Sequence, residues 1–283
     1  MGCIVLSKMA HQGQRGCMKL LSFCFSLLLI PTLALCAKET VNLYALIVTD
    51  PHTSPLSVMY EQDASTMQRH LQEISSRLGT RLHMQNFAGQ ETSKKKIARW
   101  VNSIPKSKKN IIFLYYVGKG VWENGSKRPS MCLVDRTLPQ KEITQKLRTA
   151  KPKLVLSFFD CYDKVFTYQH ETKLIKERDN FKNKFTHAKS LFLHAKGYIM
   201  GSSSSSPDSS YGIFYKDQPI GGFFSAMLFD SLKNGQRSWK WQFSVMNHHL
   251  VFLKNFKQNF LLSNRVDKRN SNEPICKSFK TCL

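Results

Sequence analysis

The apolar residues of the chain form two kinds of pattern, short unbroken runs and stretches with helical spacing. Strand-like runs lie at residues 42–50, 81–87, 111–116 and 153–160. Between the first two runs, apolar residues recur every three or four positions up to Gly79, which predicts a helix with Met67, Leu71, Ile74 and Leu78 on its buried face. Ser93 is a typical helix cap, so a second helix is predicted between Ser93 and Pro105, and a short third one near Ile143.

This alternation of strands and helices predicts βαβ units, hence a mostly parallel central sheet flanked by helices on both faces. In such open sheets, ligands bind at the carboxyl ends of the strands. Two strand ends carry unusual residues, at positions 116–120 and 160–162. These two loops are therefore the first place to look for function.

The second half of the chain is less regular. Residues 163–189 are polar and basic, which predicts an exposed linker or a charged helix, and the serine run Ser202–Ser206 is typical of a flexible loop. Two helices are predicted next, one after Gly222 and one capped by Ser238. Residues 261–283 are polar and basic and are predicted to form a tail.

The first 36 residues have the composition of a secretory signal peptide. A basic start at Lys19 leads into an apolar run and a small-residue exit near Cys36 and Ala37, and Met18 is an alternative translation start. Pro31 interrupts the run, which disfavours a permanent membrane span. The sequence therefore predicts an exported protein, either secreted, periplasmic or envelope-associated. Membrane contact would come only through an uncleaved leader or a lipid on Cys36.

The net charge of the chain indicates which kinds of partner it attracts. The 283 residues carry a net charge of +23, and removal of residues 1–36 leaves 39 basic and 19 acidic residues, a net charge of +20. A strongly basic protein attracts acidic surfaces. The basic runs lack interleaved aromatic residues and no nucleic-acid module is recognisable, which argues against nucleic acid as the partner.

Four cysteines remain after removal of the leader, namely Cys132, Cys161, Cys276 and Cys282. Four cysteines allow three pairings, and the sequence does not choose among them. No His, Cys or Asp cluster has metal-ligand spacing, so no metal and no cofactor is predicted.

Several motifs, in order, resemble the caspase and metacaspase superfamily of cysteine peptidases. Glu61–Ala64 resembles the family's Asp-Ala entry to its first helix, and the strand at 111–116 with its loop resembles the strand that ends in Tyr-Ser-Gly-His-Gly. Residues 154–163 resemble the strand that carries the nucleophile, and residues 201–232 resemble the small-subunit strand, groove loop and helix. The resemblance implies a caspase-like (caspase-hemoglobinase) fold over residues 37–260, with a large-subunit-like part at 37–162, a linker at 163–189 and a small-subunit-like part at 190–260.

The resemblance also implies where the site lies, and this chain departs from the family at both catalytic positions. Lys119, between Gly118 and Gly120, stands at the histidine position, and Tyr162 stands at the cysteine position. Cys161 is offset by one residue from the family's nucleophile, so on an extended chain its side chain points the other way. The resemblance assigns substrate-binding positions to Asp160, Gly118, Gly120, Ser203 and Ser204.

Three functional hypotheses follow. The first is a catalytically degenerate peptidase homologue that binds a peptide or a protein partner. The second is an active cysteine endopeptidase that uses Cys161 as a shifted nucleophile, because a thiolate with a suitable base could still attack a peptide carbonyl. The third is a binder of acidic polymers through the basic surface.

Overall fold

The computed structural model describes residues 40–50, 52, 54–123, 126, 128–168, 185, 187–203, 210–216, 218–234, 238–252 and 261–265. The predicted leader at 1–36 lies outside the described residues, as do Ser204, Cys276 and Cys282. The strands and helices below belong to one compact unit that begins at Val41.

Twelve strands are present in the described part of the chain. In chain order they are β1 (Asn42–Thr49), β2 (Arg81–Phe87), β3 (Asn110–Gly118), β4 (Gly120–Val121), β5 (Ser130–Cys132), β6 (Thr137–Pro139), β7 (Leu154–Cys161), β8 (Lys164–Tyr168), β9 (Gly197–Ser202), β10 (Tyr211–Tyr215), β11 (Gln218–Gly222) and β12 (Leu261–Arg265).

Five α-helices accompany these strands in the same described residues. They are α1 (Ser57–Leu78), α2 (Lys94–Ser103), α3 (Gln140–Arg148), α4 (Phe223–Asn234) and α5 (Trp239–Phe252). A short 3-10 helix at Gly89–Glu91 precedes α2, and one π-helical segment at Lys189–His194 precedes β9.

The central sheet has the strand order β12-β9-β7-β3-β1-β2. All pairings among β2, β1, β3, β7 and β9 are parallel, and only β12 runs antiparallel, against β9. The predicted α/β class with a mostly parallel sheet is confirmed. The strands at 111–116 and 154–159 are adjacent and parallel, with Tyr116 beside Phe159.

Each parallel strand alternates its side chains between two cores, one on each face of the sheet. One core contains side chains of α1, α4 and α5, and the other contains side chains of α2 and α3. In β3, Tyr115 and Val117 belong to the first core, whereas Leu114 and Tyr116 belong to the second. The predicted helical cover on both faces is therefore confirmed.

Local signals placed most helix ends correctly. The α1 helix is followed by Gly79, whose φ of 62° is left-handed and suits glycine. The Ser93 side chain accepts a hydrogen bond from the backbone N–H of Lys96 at the start of α2, and Ser238 does the same for Trp241 in α5.

Two strands lie where the sequence predicted irregular chain. The β8 strand lies within the stretch 163–189, which was predicted as a linker or charged helix, and it pairs with β10 in a small second sheet of order β11-β10-β8. The β12 strand lies at the start of the stretch predicted as a basic tail. Both strands depend on a partner far along the chain, which local patterning does not reveal.

Candidate functional site

The carboxyl ends of β1, β3, β7 and β9 meet at one edge of the central sheet. Backbone hydrogen bonds join the loops there. The N–H of Asp50 donates to the Val117 carbonyl (3.0 Å), and the N–H of Tyr162 donates to the Gly118 carbonyl (3.2 Å). The N–H of Ser203 donates to the Phe159 carbonyl (2.9 Å). The parallel register thus brings seven of the candidate residues to this edge, namely Gly118, Lys119, Gly120, Asp160, Cys161, Tyr162 and Ser203. We call it the carboxyl edge.

Cys161 lies at the end of β7 and is 1% exposed. A Cβ atom built on Gly120 would lie 2.9 Å from the Cys161 sulfur, so the Gly120 backbone covers the thiol. Burial raises the pKa of Cys161 well above its ordinary value, and the charge of Asp160 raises it further. The thiol is therefore neutral and shielded, which is the opposite of an activated nucleophile.

Tyr162 points to the opposite face of the sheet, against α1. Its hydroxyl donates to Oδ2 of Asp63 (3.0 Å), and its ring packs edge-on against Tyr60 at 5.0 Å between ring centres. Burial, followed by the charge of Asp63, raises the pKa of Tyr162 well above its ordinary value. The predicted offset between Cys161 and Tyr162 is thus realised, because the two side chains belong to different cores.

Asp160 is fully buried on the same face as Tyr162. Its Oδ2 accepts hydrogen bonds from both the backbone N–H (3.0 Å) and the hydroxyl of Ser225 at the start of α4. Burial and then the neighbouring charge of Asp63 raise the pKa of Asp160 to about 8. Burial therefore favours the protonated form of this carboxyl in the folded protein.

The loop after β3 is held mainly by its backbone. The N–H of Lys119 donates to Oδ2 of Asp50 (2.7 Å), and the hydroxyl of Tyr116 donates to the Lys119 carbonyl (2.6 Å). A Cβ on Gly118 would lie 2.2 Å from the Cβ of Asp50, so this position requires glycine. The Lys119 side chain itself is exposed.

The sequence patterns did not predict an Asp–His pair that lies at the end of β1. Oδ1 of Asp50 accepts from both the N–H and the Nδ1 of His52, each at 2.8 Å. The Asp50 carboxylate is 2% exposed, whereas the His52 ring is 63% exposed. A buried carboxylate that orients an exposed imidazole is one half of a general-base arrangement. The rule that singled out strand ends would have found Asp50, had it been applied to β1 as well.

The sequence indicated Asp63 only as part of the Glu61–Ala64 motif and did not predict its role as a hydrogen-bond acceptor. Its Oδ2 accepts from the Tyr162 hydroxyl and from the N–H of Gly222 (2.6 Å). Asp63 lies four residues before Met67, so helical spacing places it on the buried face of α1. A charged residue on a buried helix face is the sequence feature that could have indicated its role. His194 lies away from this edge, since it ends the helical segment that leads into the amino end of β9.

Ser203 joins the ends of β7 and β9. Its hydroxyl accepts from the Cys161 N–H (2.9 Å) and donates to the Cys161 carbonyl (3.1 Å), so it braces the backbone of the site. Among the described residues, no group of three or more His, Cys, Asp or Glu side chains is arranged to hold a metal ion.

Comparison with known proteins gives structural matches only. No family model and no curated protein sequence matches this chain. The solved structure of pro-Sf-caspase-1 matches with a TM-score of 0.49 and 12% identity, covering 81% of this chain and 93% of that one. The Drosophila initiator caspase Dronc matches with a TM-score of 0.46 and 8% identity, covering 79% of each chain. Both are caspases, the family that the sequence resembles.

Proposed function

We propose that this protein is an exported, catalytically inactive relative of caspase-like peptidases that acts by binding an extended peptide segment. The observation that carries the proposal is the burial of both candidate nucleophile positions. Cys161 lies beneath the Gly120 backbone, and the Tyr162 hydroxyl is bound to Asp63 on the other face. Neither group can present a thiolate to a peptide carbonyl at the carboxyl edge.

Lys119 adds a second reason. An ammonium group with an ordinary pKa near 10.4 cannot accept a proton at neutral pH, so it cannot replace the family's histidine as a base. The His52 imidazole is exposed and oriented by Asp50, but a base without a nucleophile supports no acyl transfer. The missing nucleophile therefore decides the proposal.

A turnover assay tests the inactivity. Wild type and Cys161→Ala are incubated with fluorogenic peptides that vary the residue before the scissile bond, and a thiol-reactive peptide electrophile is applied in parallel. We expect equal, background hydrolysis from both proteins and slow labelling of Cys161. Hydrolysis by wild type that disappears in Cys161→Ala would overturn the proposal in favour of a shifted nucleophile.

The binding part of the proposal rests on β8, which follows the site directly. Among the described residues β8 is an edge strand of the sheet β11-β10-β8, and it is the strand to which we expect an extended peptide to add. Val165 and Phe166 on β8 are 46% and 38% exposed. An exposed strand edge with apolar side chains is the usual platform for binding an extended peptide by strand addition.

To test this surface, peptides that bind the wild-type protein are first selected from a displayed random library. Their affinities for wild type and for two variants are then measured. Val165→Asp should weaken the selected peptides about tenfold, since one lost apolar contact of about 1.4 kcal/mol has that effect. Val134→Asp changes another exposed valine, outside β8, and should leave affinity unchanged. Equal weakening by the two variants, or none by either, would contradict binding at β8.

Export is the third part of the proposal, and it rests on the leader-like residues 1–36. The described residues include no helix that is long and apolar enough to cross a membrane. Amino-terminal sequencing of the protein from the producing cells should find a start at or near Ala37. A full-length protein confined to the cytoplasm would exclude export without affecting the binding proposal.

A further inference from the structure

The amino ends of the parallel strands meet at the opposite edge of the central sheet. The loops that enter these strands comprise residues 79–81, 105–109, 149–153 and 195–196. Backbone bonds join neighbouring loops: Ser107 donates to the Ala150 carbonyl (3.0 Å), Lys153 to the Asn110 carbonyl (2.8 Å), and Gly197 to the Lys153 carbonyl (2.9 Å). Three of the loops are thus joined directly. The fourth, at 79–81, is bonded through the Arg81 N–H to the Val41 carbonyl (2.9 Å) immediately before β1, which lies between β3 and β2. We call the four loops together the amino edge.

The four loops are basic. They contain no Asp or Glu, and they carry Arg81, Lys106, Lys108, Lys109, Lys151, Lys153 and Lys196. All of these side chains are exposed except Lys153, which is partly buried. Burial lowers the pKa of Lys153, and the nearby ammonium of Lys196 lowers it further. Positive charges therefore lie close together at this edge.

Several lysines on other surfaces of the described residues form ion pairs with carboxylates. Glu142 pairs with both Lys94 and Lys146 (2.9 Å each), and Glu91 pairs with Lys96. Among the described residues, no carboxylate forms an ion pair with Lys106, Lys108, Lys151 or Lys196. A row of unneutralised cations is a surface that an anionic partner would stabilise.

The length and composition of the amino edge suit a linear polyanion better than a nucleic-acid base or a lipid bilayer. Strands in a sheet lie about 4.8 Å apart, so the four spacings from β9 to β2 extend over roughly 19 Å, enough for several charged groups of a linear polymer. The loops contain no aromatic residue on which a nucleic-acid base could stack. None of the large exposed apolar side chains lies in them, so nothing is available to insert into a bilayer.

We propose that the amino edge binds a linear sulfated polysaccharide. Sulfate groups along a flexible chain match a row of lysine ammonium groups, and the choice of a polysaccharide over duplex nucleic acid rests on the proposed export. The surface lies at the other end of the sheet from the carboxyl edge. Binding of a polysaccharide there leaves the peptide-binding edge of β8 accessible.

Heparin serves as the probe in a calorimetric titration at several salt concentrations. The edge variant carries Lys106→Gln, Lys108→Gln, Lys151→Gln and Lys196→Gln. A control variant with the same loss of charge carries Lys95→Gln, Lys141→Gln, Lys189→Gln and Lys240→Gln, all exposed lysines outside the amino edge. Circular dichroism and thermal unfolding check that both variants are folded.

We expect the edge variant to bind heparin about tenfold or more weakly than wild type, with a shallower salt dependence, because fewer bound counterions are released. The control variant should stay within about threefold of wild type, since general attraction changes little. Equal losses in both variants, or none, would overturn the proposal. So would tighter binding of duplex DNA or of phosphatidylserine vesicles than of heparin at equal salt. Peptide binding by the edge variant should be unchanged, so failure here is distinguishable from failure of the proposed function.

Discussion

At the scale of single residues, three consecutive positions at the end of β7 lie in three different environments. Asp160 is buried and bonded to Ser225, Cys161 is shielded by Gly120, and Tyr162 is bonded to Asp63. The alternation of a strand sends Asp160 and Tyr162 to one face and Cys161 to the other. Tyr162 is held in place both by packing against the ring of Tyr60 and by the hydrogen bond of its hydroxyl to Asp63.

The hydrogen bond from Tyr162 to Asp63 should contribute to stability. Tyr162→Phe removes one donor to Oδ2 of Asp63 and retains the Gly222 N–H, which donates to the same oxygen. Because the carboxylate is buried, we expect a loss of about 1–3 kcal/mol in the free energy of unfolding, measured by urea denaturation. Tyr44→Phe, where the ring stacks on His83 at the sheet surface, is the control and should change it by less than about 0.5 kcal/mol. An equal effect of the two substitutions would refute a specific role for the hydroxyl.

At the scale of elements, α3 is anchored to the sheet by polar contacts as well as by its apolar face. Gln140 at its first turn is fully buried, and its amide donates to the carbonyls of Ser157 in β7 (3.0 Å) and Gly201 in β9 (2.9 Å). The Thr144 hydroxyl bonds to the Ser157 hydroxyl one turn later (3.0 Å). The helix therefore bridges the two strands that end at Cys161 and Ser202.

Gln140→Leu should destabilise the protein by about 2–3 kcal/mol, because two buried hydrogen bonds are lost together. Gln145→Leu makes the same change on the exposed face of the same helix and should alter the free energy of unfolding by about 0.5 kcal/mol or less. Chemical denaturation monitored by tryptophan fluorescence measures both. A loss in Gln140→Leu no larger than that in Gln145→Leu would show that the bridge between β7 and β9 is unimportant.

At the scale of the whole molecule, the two edges of the sheet differ in charge. Three acidic side chains are buried near the carboxyl edge, namely Asp50, Asp63 and Asp160, whereas the amino edge is basic and exposed. Burying a carboxyl group without a cation costs free energy unless it holds a proton. The stability of the whole fold should therefore depend on pH through Asp160.

The sign of this dependence follows from the raised pKa. The folded protein holds the Asp160 proton up to about pH 8, whereas the unfolded chain releases it near the ordinary value of 3.8. Between these values the folded state binds more protons than the unfolded state, so the free energy of unfolding falls as pH rises. The slope from one such group reaches about 1.4 kcal/mol per pH unit.

Asp160→Asn should flatten this decline between pH 5 and pH 8, measured by urea denaturation across that range. Asp163→Asn, at an exposed position three residues along, should follow the wild-type curve. Curves of the same slope for all three proteins would show that Asp160 is ionised in the folded state, contrary to its environment.

The sequence by itself determined the class of fold and indicated which loops meet at one edge of the sheet. Unbroken apolar runs can be buried only inside a covered sheet, and helical periodicity specifies which helix face packs on it. Local signals such as Ser93 and Gly79 mark helix ends because the capping interactions involve only neighbouring residues. The position of Lys119 and of residues 160–162 at one edge followed from the rule that parallel strands share their carboxyl ends.

Only the tertiary structure decided which groups act on one another. The pairings of Tyr162 with Asp63 and of Asp160 with Ser225 join residues that are far apart in the chain, and so does the cover of Cys161 by Gly120. The β8 and β12 strands likewise form against β10 and β9, because a strand is stabilised by its partner more than by its own residues. The same holds for the amino edge, where separate lysine-containing loops become one surface only when the parallel register places their strands side by side.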